Sequence, residues 1–402
     1  MLAEALVEAG HEVTWWVSGF NHRSKSHRAR EPKEIVHAPG FTIRLVPTHP
    51  YSKNISLARI RAEREYSRGV LRLAAGEPVP DVVMISEPSL FYSDPAIQTV
   101  RRTGAALVLD TLDLWPEMFH IALPSWMQRF GRLVFAPLYH KRKRTFARAD
   151  AVLAASRDYR ALSQRLAPHL PAELVQTVYF GVHVPEFRET MRGAGPVPDA
   201  VSAPRRPGEV RLVYASTLGS NYDVETLLAA AERLTAEGIA YRLFIAGTGP
   251  LEPLIVERLA STAMRDVTFL GNPDASTMAR IYARCDVGIA GYVAGSQVTM
   301  PIKGFHYCAA GLAVVTSLAG EYADLLLETG AGTRYVSGGV ASLAECLRFY
   351  ATHATALAAA RAASYALGDA FDVKVQYAKA VQVVERAAEL PGRRARAGHR
   401  AL

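Results

Sequence analysis

Two hydrophobic rhythms alternate along this chain. Short apolar runs rich in β-branched and aromatic residues give way to segments whose apolar positions recur every three or four residues, the marks of strands and amphipathic helices in turn. In the first half the pattern predicts a helix over 2–9 stopped by Gly10, then strands over 13–17, 42–46, 81–86, 106–110, 151–155 and 176–180. Long helices are predicted over 60–75 and 126–147. In the second half the predicted strands are 210–215, 241–246, 267–270, 287–290, 313–316 and 333–336. Helices are predicted over 224–236, 251–259, 276–283, 302–310 and 321–328, and two Ala-rich helical stretches, 341–367 and 371–389, close the chain. Strand–helix alternation of this kind implies parallel sheets covered on both faces, an α/β protein.

At 402 residues the chain is long for a single core, so two α/β domains are expected. Residues 186–209, rich in Pro, Gly and charge, mark the break. The expected organisation is a domain at 1–185, a linker at 186–209, a second domain at 210–370, a helix at 371–390 and a disordered basic tail at 391–402.

Half of the residues are hydrophobic, yet the longest apolar runs fall far short of a membrane span. The N-terminus is amphipathic and carries acids early, which argues against a secretory signal. Cys285, Cys308 and Cys346 are scattered and form no C-x-x-C pair. They read as core residues of a reducing compartment, so the cytoplasm is expected, with no metal framework. The net charge of +8 is uneven: residues 1–185 carry 24 Lys/Arg against 17 Asp/Glu, a surplus of 7. That surplus points to an anionic partner. Nucleic acid fits poorly, because no reader motif and no basic stripe interleaved with aromatics is present. A phosphate-bearing or lipid-linked acceptor, or peripheral contact with the inner face of an anionic membrane, fits better. The apolar positions Trp126, Phe130, Leu133, Val134 and Leu138 lead into His140-Lys141-Arg142-Lys143-Arg144, an amphipathic pattern with a basic end.

The chemistry concentrates at residues 296–321, SQVTMPIKGFHYCAAGLAVVTSLAGE. This is a loop, a helix carrying Lys303 in its first turn, a Gly311 stop, a buried strand and a loop ending in Gly320-Glu321. A lysine beside a helix N-terminus opposes the dipole unless an anion is shared between them. The loop Ser216-Thr-Leu-Gly219-Ser220-Asn221-Tyr-Asp223 joins a strand to a helix that Asp223 is placed to cap, and its amides suit a diphosphate. Gly247-Thr-Gly249-Pro250 lacks the third glycine and the acid of a dinucleotide fingerprint and reads as a turn. Gly271-Asn272-Pro273 follows the next strand. In the first half, Asp110-Thr-Leu-Asp113-Leu-Trp-Pro-Glu117 ends a strand, and Ser18-Gly-Phe-Asn-His22-Arg-Ser-Lys25-Ser-His-Arg28 follows another.

The 296–321 segment resembles the donor-binding segment of retaining, family 4-type glycosyltransferases of the GT-B fold, whose usual form is P-x-K-x-F-E-Y-x-A-x-G-x-P-V followed by a Gly-Glu loop. The two first-half motifs resemble those of polysaccharide and O-antigen assembly members. The resemblance implies two doubly wound Rossmann-like domains facing across a cleft, with the last helix crossing back to the first. It implies transfer of a sugar from a nucleoside-diphosphate donor to a hydroxyl acceptor with retention and without a metal or other cofactor, in surface-polysaccharide or glycan assembly. Lys303 and Asp110 are then the catalytic candidates. Gly219, Ser220, Gly271, Asn272, Lys303, His306, Gly320 and Glu321 would line the donor, and His22, Lys25, Arg28 and Asp113 the acceptor side. His306 stands where the family has Glu, and Val298 where the E-x7-E pattern has its first Glu. A neutral His offers one acceptor and one donor where Glu offers two acceptor oxygens. The resemblance also places a central strand before the opening helix, and a parallel sheet that began at its second strand would leave backbone groups unpaired. These departures keep two alternatives open: a catalytically lapsed GT-B partner or sugar-nucleotide-binding protein, and a nucleotide-sugar epimerase of the same fold.

Overall fold

The computed structural model describes residues 2–22, 24–53, 56–87, 93–113 and 115–390. The tail at 391–402 lies outside the described residues. The chain divides into two compact units, one of residues 1–178 and 377–402, the other of residues 179–376. Both are α/β.

In the second unit six strands form one parallel sheet: β10 (Val210–Ala215), β11 (Tyr241–Ala246), β12 (Val267–Phe269), β13 (Val287–Ala290), β14 (Ala313–Thr316) and β15 (Gly332–Arg334), in the order β12-β11-β10-β13-β14-β15 (numbered after the first unit's strands, below). The apolar runs fit this sheet because both faces are covered. Leu212 and Tyr214 of β10 point with Ile289 and Val315 into one buried cluster, while Val213, Ala290 and Val314 join the cluster on the other face. The order reverses between β10 and β13, and at such a switch point the crossovers leave to opposite faces and open a crevice at the carboxyl ends of the strands.

An ionic cluster fastens the opposite, amino-terminal end of the same strands. Buried Asp286, just before β13, accepts from Arg205 at 2.5 Å, from Arg361 at 2.8 Å and from the Arg211 backbone amide at 2.9 Å. Glu209 pairs with Arg206 at 2.9 Å, Arg211 at 2.9 Å and Arg242 at 3.2 Å. Residues 186–209, which the composition marks as a linker, carry the helices Val184–Arg192 and Asp199–Ser202, and the Arg211 guanidinium donates to the Val201 and Ala203 carbonyls.

The first unit holds β1 (Val13–Ser18), β2 (Phe20–Asn21), β3 (Ser26–His27), β4 (Lys33–Ala38), β5 (Phe41–Val46), β6 (Val82–Glu87), β7 (Ala106–Thr111), β8 (Ala151–Ala154) and β9 (Val175–Thr177). Its main strands fall into two sheets, β1-β5-β4 and β6-β7-β8-β9. β4 is absent from the sequence expectation. It is a polar, exposed edge strand that pairs antiparallel with β5 through a turn at Gly40, whose φ is 77°, and so lacks the apolar run that marks the buried strands. Ala380, Val383, Val384 and Ala387 of the closing helix Val373–Glu389 pack with Ala106, Val108, Ala151 and Leu153, covering one face of the second sheet. The single helix predicted over 126–147 is three short ones, Ser125–Gln128, Gly131–Val134 and Ala136–Phe146, with Pro137 opening the last.

Candidate active site

Lys303 lies on the first turn of the helix Ile302–Ala309. That turn starts at Pro301, whose ring presets the entry, and Gly304 lets it approach the buried Tyr322 ring, which a Cβ there would meet at 2.5 Å. The side chain runs inward to the carboxyl ends of β10 and β13. Nζ donates to Ser216 Oγ at 3.0 Å and lies 4.7 Å from the ring centroids of Tyr214 and Tyr222 and 4.6 Å from that of Tyr292. Tyr214 lies next to the last residue of β10, Tyr222 belongs to the following loop, and Tyr292 follows β13, so the cage straddles the switch point. No carboxylate pairs with the ammonium among the described residues. Burial alone pushes the Lys303 pKa down to about 7. Three quadrupolar faces attract the cation but replace little of its lost hydration. An anion would.

The loop from Ser216 to Asp223 meets this ammonium. The amides of Gly219, Ser220 and Asn221 have no hydrogen-bond partner among the described residues, and open space surrounds Gly219. Asp223 sits before the helix Val224–Ala236 but does not cap it; its carboxylate accepts from the Gly338 amide at 2.9 Å. The loop is held from behind by the Gly247-Thr-Gly249 turn. The φ values of its two glycines are 137° and 154°, and an added Cβ would lie 1.7 Å from the Ser216 carbonyl oxygen and 2.4 Å from that of Leu218. These glycines exist for close backbone approach. Gly247 N–H also donates to the Gly271 carbonyl at 2.6 Å, which ties the Gly271-Asn272 loop to the same place, with Asn272 exposed.

His306 lies one helical turn beyond Lys303. Its Nδ1–H donates to the Ile302 carbonyl at 3.1 Å and its ring meets Phe187 edge-on at 5.4 Å. That bond fixes the tautomer and leaves Nε2 as an acceptor, and burial, against the Ile302 bond, holds the ring pKa below its ordinary value. Gly320, with φ 87° and ψ −155°, starts the helix Glu321–Thr329 in a backbone region reserved to glycine. Buried Glu321 accepts from the Tyr179 hydroxyl at 2.5 Å, so its carboxylate is already engaged.

In two blocks, family models cover most of the chain: "Glycosyl transferase 4-like domain" matches residues 1–181 and "Glycosyl transferases group 1" matches residues 209–352. The chain belongs to the group 1, 4-like glycosyltransferases. Solved structures share its GT-B fold at low identity. Sucrose-phosphate synthase from Thermosynechococcus elongatus is 16% identical with a TM-score of 0.69, covering 96% of this chain and 91% of that one. HepE from Anabaena in complex with UDP is 15% identical with a TM-score of 0.60, covering 87% and 86%. WaaG, a glycosyltransferase involved in lipopolysaccharide biosynthesis, is 17% identical with a TM-score of 0.62, covering 95% and 94%. No curated protein matches the chain by sequence.

In the first unit of this glycosyltransferase, Asp110 is the penultimate residue of β7, near its carboxyl end. Burial raises its pKa to about 7, with a Ser86 hydrogen bond pulling the other way, and burial also raises that of Asp113. His22, Lys25 and Arg28 are exposed around the β2–β3 hairpin, where Lys25 holds φ 54° with Nζ 4.8 Å from the Tyr51 ring centroid. The Trp115–Glu117 segment is clamped by Arg142, which donates to the Trp115 carbonyl at 2.7 Å and to the Glu117 carboxylate at 2.6 and 2.9 Å. Sequence reasoning places Arg142 in the basic end of an amphipathic pattern and overlooks the tyrosine cage entirely. A tyrosine at or just after the end of each of two buried strands is the signal that would have found the cage.

Proposed function

We propose that this glycosyltransferase moves a sugar from a nucleoside-diphosphate donor to a hydroxyl acceptor with retention and without a metal. The observation that carries the reading is the caged Lys303 ammonium, with no carboxylate partner among the described residues, beside three open amides at the switch point. The diphosphate takes its charge neutralisation from Lys303 and its hydrogen bonds from Gly219, Ser220 and Asn221, and His306 Nε2 accepts from a ribose hydroxyl. As the bond to the anomeric carbon breaks, these groups hold the negative charge that develops on the leaving phosphate oxygen. The acceptor oxygen bonds to the anomeric carbon on the same face, and its proton passes to that phosphate oxygen. Asp110 orients the acceptor hydroxyl. HepE has been solved with UDP and with UDP-glucose, and the basic surplus of residues 1–185 supports a phosphate-bearing or lipid-linked acceptor from glycan assembly at the cytoplasmic face.

Calorimetric titration with UDP, GDP, ADP and inorganic pyrophosphate tests the donor half. At least one nucleotide binds, and Lys303→Ala weakens it about 10- to 100-fold, the worth of a charged hydrogen-bonding contact. An unchanged dissociation constant would overturn the assignment. Tight nucleotide binding with no hydrolysis or transfer of the matching sugar nucleotide would mark a binding protein instead.

A further inference from the structure

Residues 125–134 form two single-turn helices whose largest apolar side chains face solvent. Trp126 is 67% exposed, Phe130 45%, Leu133 77% and Val134 44%. A cluster of this kind on one short segment marks an interaction surface. It is held firmly. A Cβ on Gly131 would meet the His120 ring at 2.5 Å, that ring stacks on Phe135 at 5.9 Å, and His120 Nε2 and the Tyr139 hydroxyl are 3.0 Å apart. The backbone is therefore anchored through small and inward-facing residues while the bulky ones project outward. Leu138, which the sequence pattern adds to this stripe, is half-buried and does not belong to it.

Charge identifies the occupant. Residues 118–149 contain seven Lys/Arg and no Asp or Glu. Arg142 pairs with Glu117 and Lys141 with Asp94, but Arg129, Arg132, Lys143 and Arg144 have no carboxylate partner among the described residues. The Arg129 guanidinium lies 4.8 Å from the Phe130 ring centroid, directly beside the apolar cluster. No helix among the described residues is long and apolar enough to cross a membrane. An aromatic and aliphatic patch bordered by uncompensated cations matches a bilayer interface, where rings and Leu enter the acyl boundary and guanidiniums meet anionic headgroups. A protein partner would more commonly be met by a rim of both signs.

We propose that Trp126, Phe130, Leu133 and Val134, flanked by Arg129 and Arg132, dock this glycosyltransferase on an anionic lipid surface. The proposal deepens the reading of a lipid-linked acceptor, since such an acceptor presents its hydroxyl at that surface, and it rests on that reading for its purpose but not for its test. The full chain is sedimented with phosphatidylcholine vesicles and with vesicles containing about a third phosphatidylglycerol. It binds the anionic vesicles, and raising salt from about 0.1 to 0.5 M weakens binding. Trp126→Ser with Leu133→Ser lowers vesicle affinity about ten-fold or more, and Arg129→Gln with Arg132→Gln removes most of the preference for the anionic lipid. UDP affinity, measured on the same preparations, stays the same in all of them. Equal vesicle binding by the Ser double variant would overturn the proposal, as would no binding by the natural chain. So would a dimer in ultracentrifugation that the Ser variant dissociates, because the patch would then be covered by a second copy. Failure to bind UDP, GDP or ADP in every preparation would count against the donor reading and leave the surface standing.

Discussion

An ammonium ringed by phenol faces is held in place yet poorly solvated, and that tension gives Lys303 a measurable signature. Its pKa is about 7 in the ligand-free fold against an ordinary 10.5, so between those values the unfolded chain binds more protons than the native one, and Lys303's contribution makes native stability rise with pH. Lys303→Met should flatten that rise in thermal melts between pH 7 and 9 and stabilise the ligand-free protein near neutrality, while removing nucleotide affinity. A bound diphosphate favours the charged form, so binding takes up a proton above about pH 7 and affinity falls as pH rises. Calorimetry at pH 6.5 and 8.5 in buffers of differing ionisation heat reads both effects, and a Lys303→Met variant that kept the same pH slope would contradict the account. His306 makes a separable prediction. His306→Ala should weaken a nucleoside diphosphate about five-fold, the loss of one hydrogen bond, and leave inorganic pyrophosphate unchanged, because the proposed binding mode gives Nε2 to the ribose and not to the phosphates.

Among elements, the close-approach glycines decide whether the binding loop is built at all. Gly247→Ala would drive a methyl to 1.7 Å from the Ser216 carbonyl oxygen at a φ of 137°. It should cost at least about 3 kcal/mol of stability, and it should weaken nucleotide binding in whatever chain folds, since Ser216 is the hydrogen-bonding partner of Lys303. Urea unfolding and a UDP titration on one preparation check both halves. The buried strands of the second unit were legible in sequence because both faces are covered, which concentrates apolar residues into short runs such as Leu212-Val213-Tyr214. β4 was not, because an exposed edge strand of Lys, Glu, Ile and Val carries no such run. Lys303 and the glycine loops were legible through spacing along the chain. The cage was hidden, because Tyr292 is distant in sequence from Tyr214 and Tyr222 and joins them only when β10 and β13 become neighbours. The break-up of 126–147 was legible only in part: Pro137 announces one end, but the turn at Gly131 depends on the His120 ring, which local periodicity does not reveal.

Across the molecule, the second unit separates holding from binding along its own strands. Asp286, Glu209 and the arginines around them lock the amino-terminal end of the sheet, and Lys303 and its loop occupy the carboxyl-terminal end. Asp286→Asn removes a buried charge that answers two guanidiniums, both partly exposed, and should cost about 2 kcal/mol, a fall in melting temperature on the order of 5 °C. Its dissociation constant for UDP should not change, and a parallel loss of affinity would show the two ends to be coupled. If they are independent, changes at one end add to changes at the other. The sheet then behaves like a tool with a fixed handle and an interchangeable tip. Loops at the tip can drift through substitutions that would ruin a less firmly gripped scaffold, so a change at a tip position such as 306 leaves the sheet itself intact.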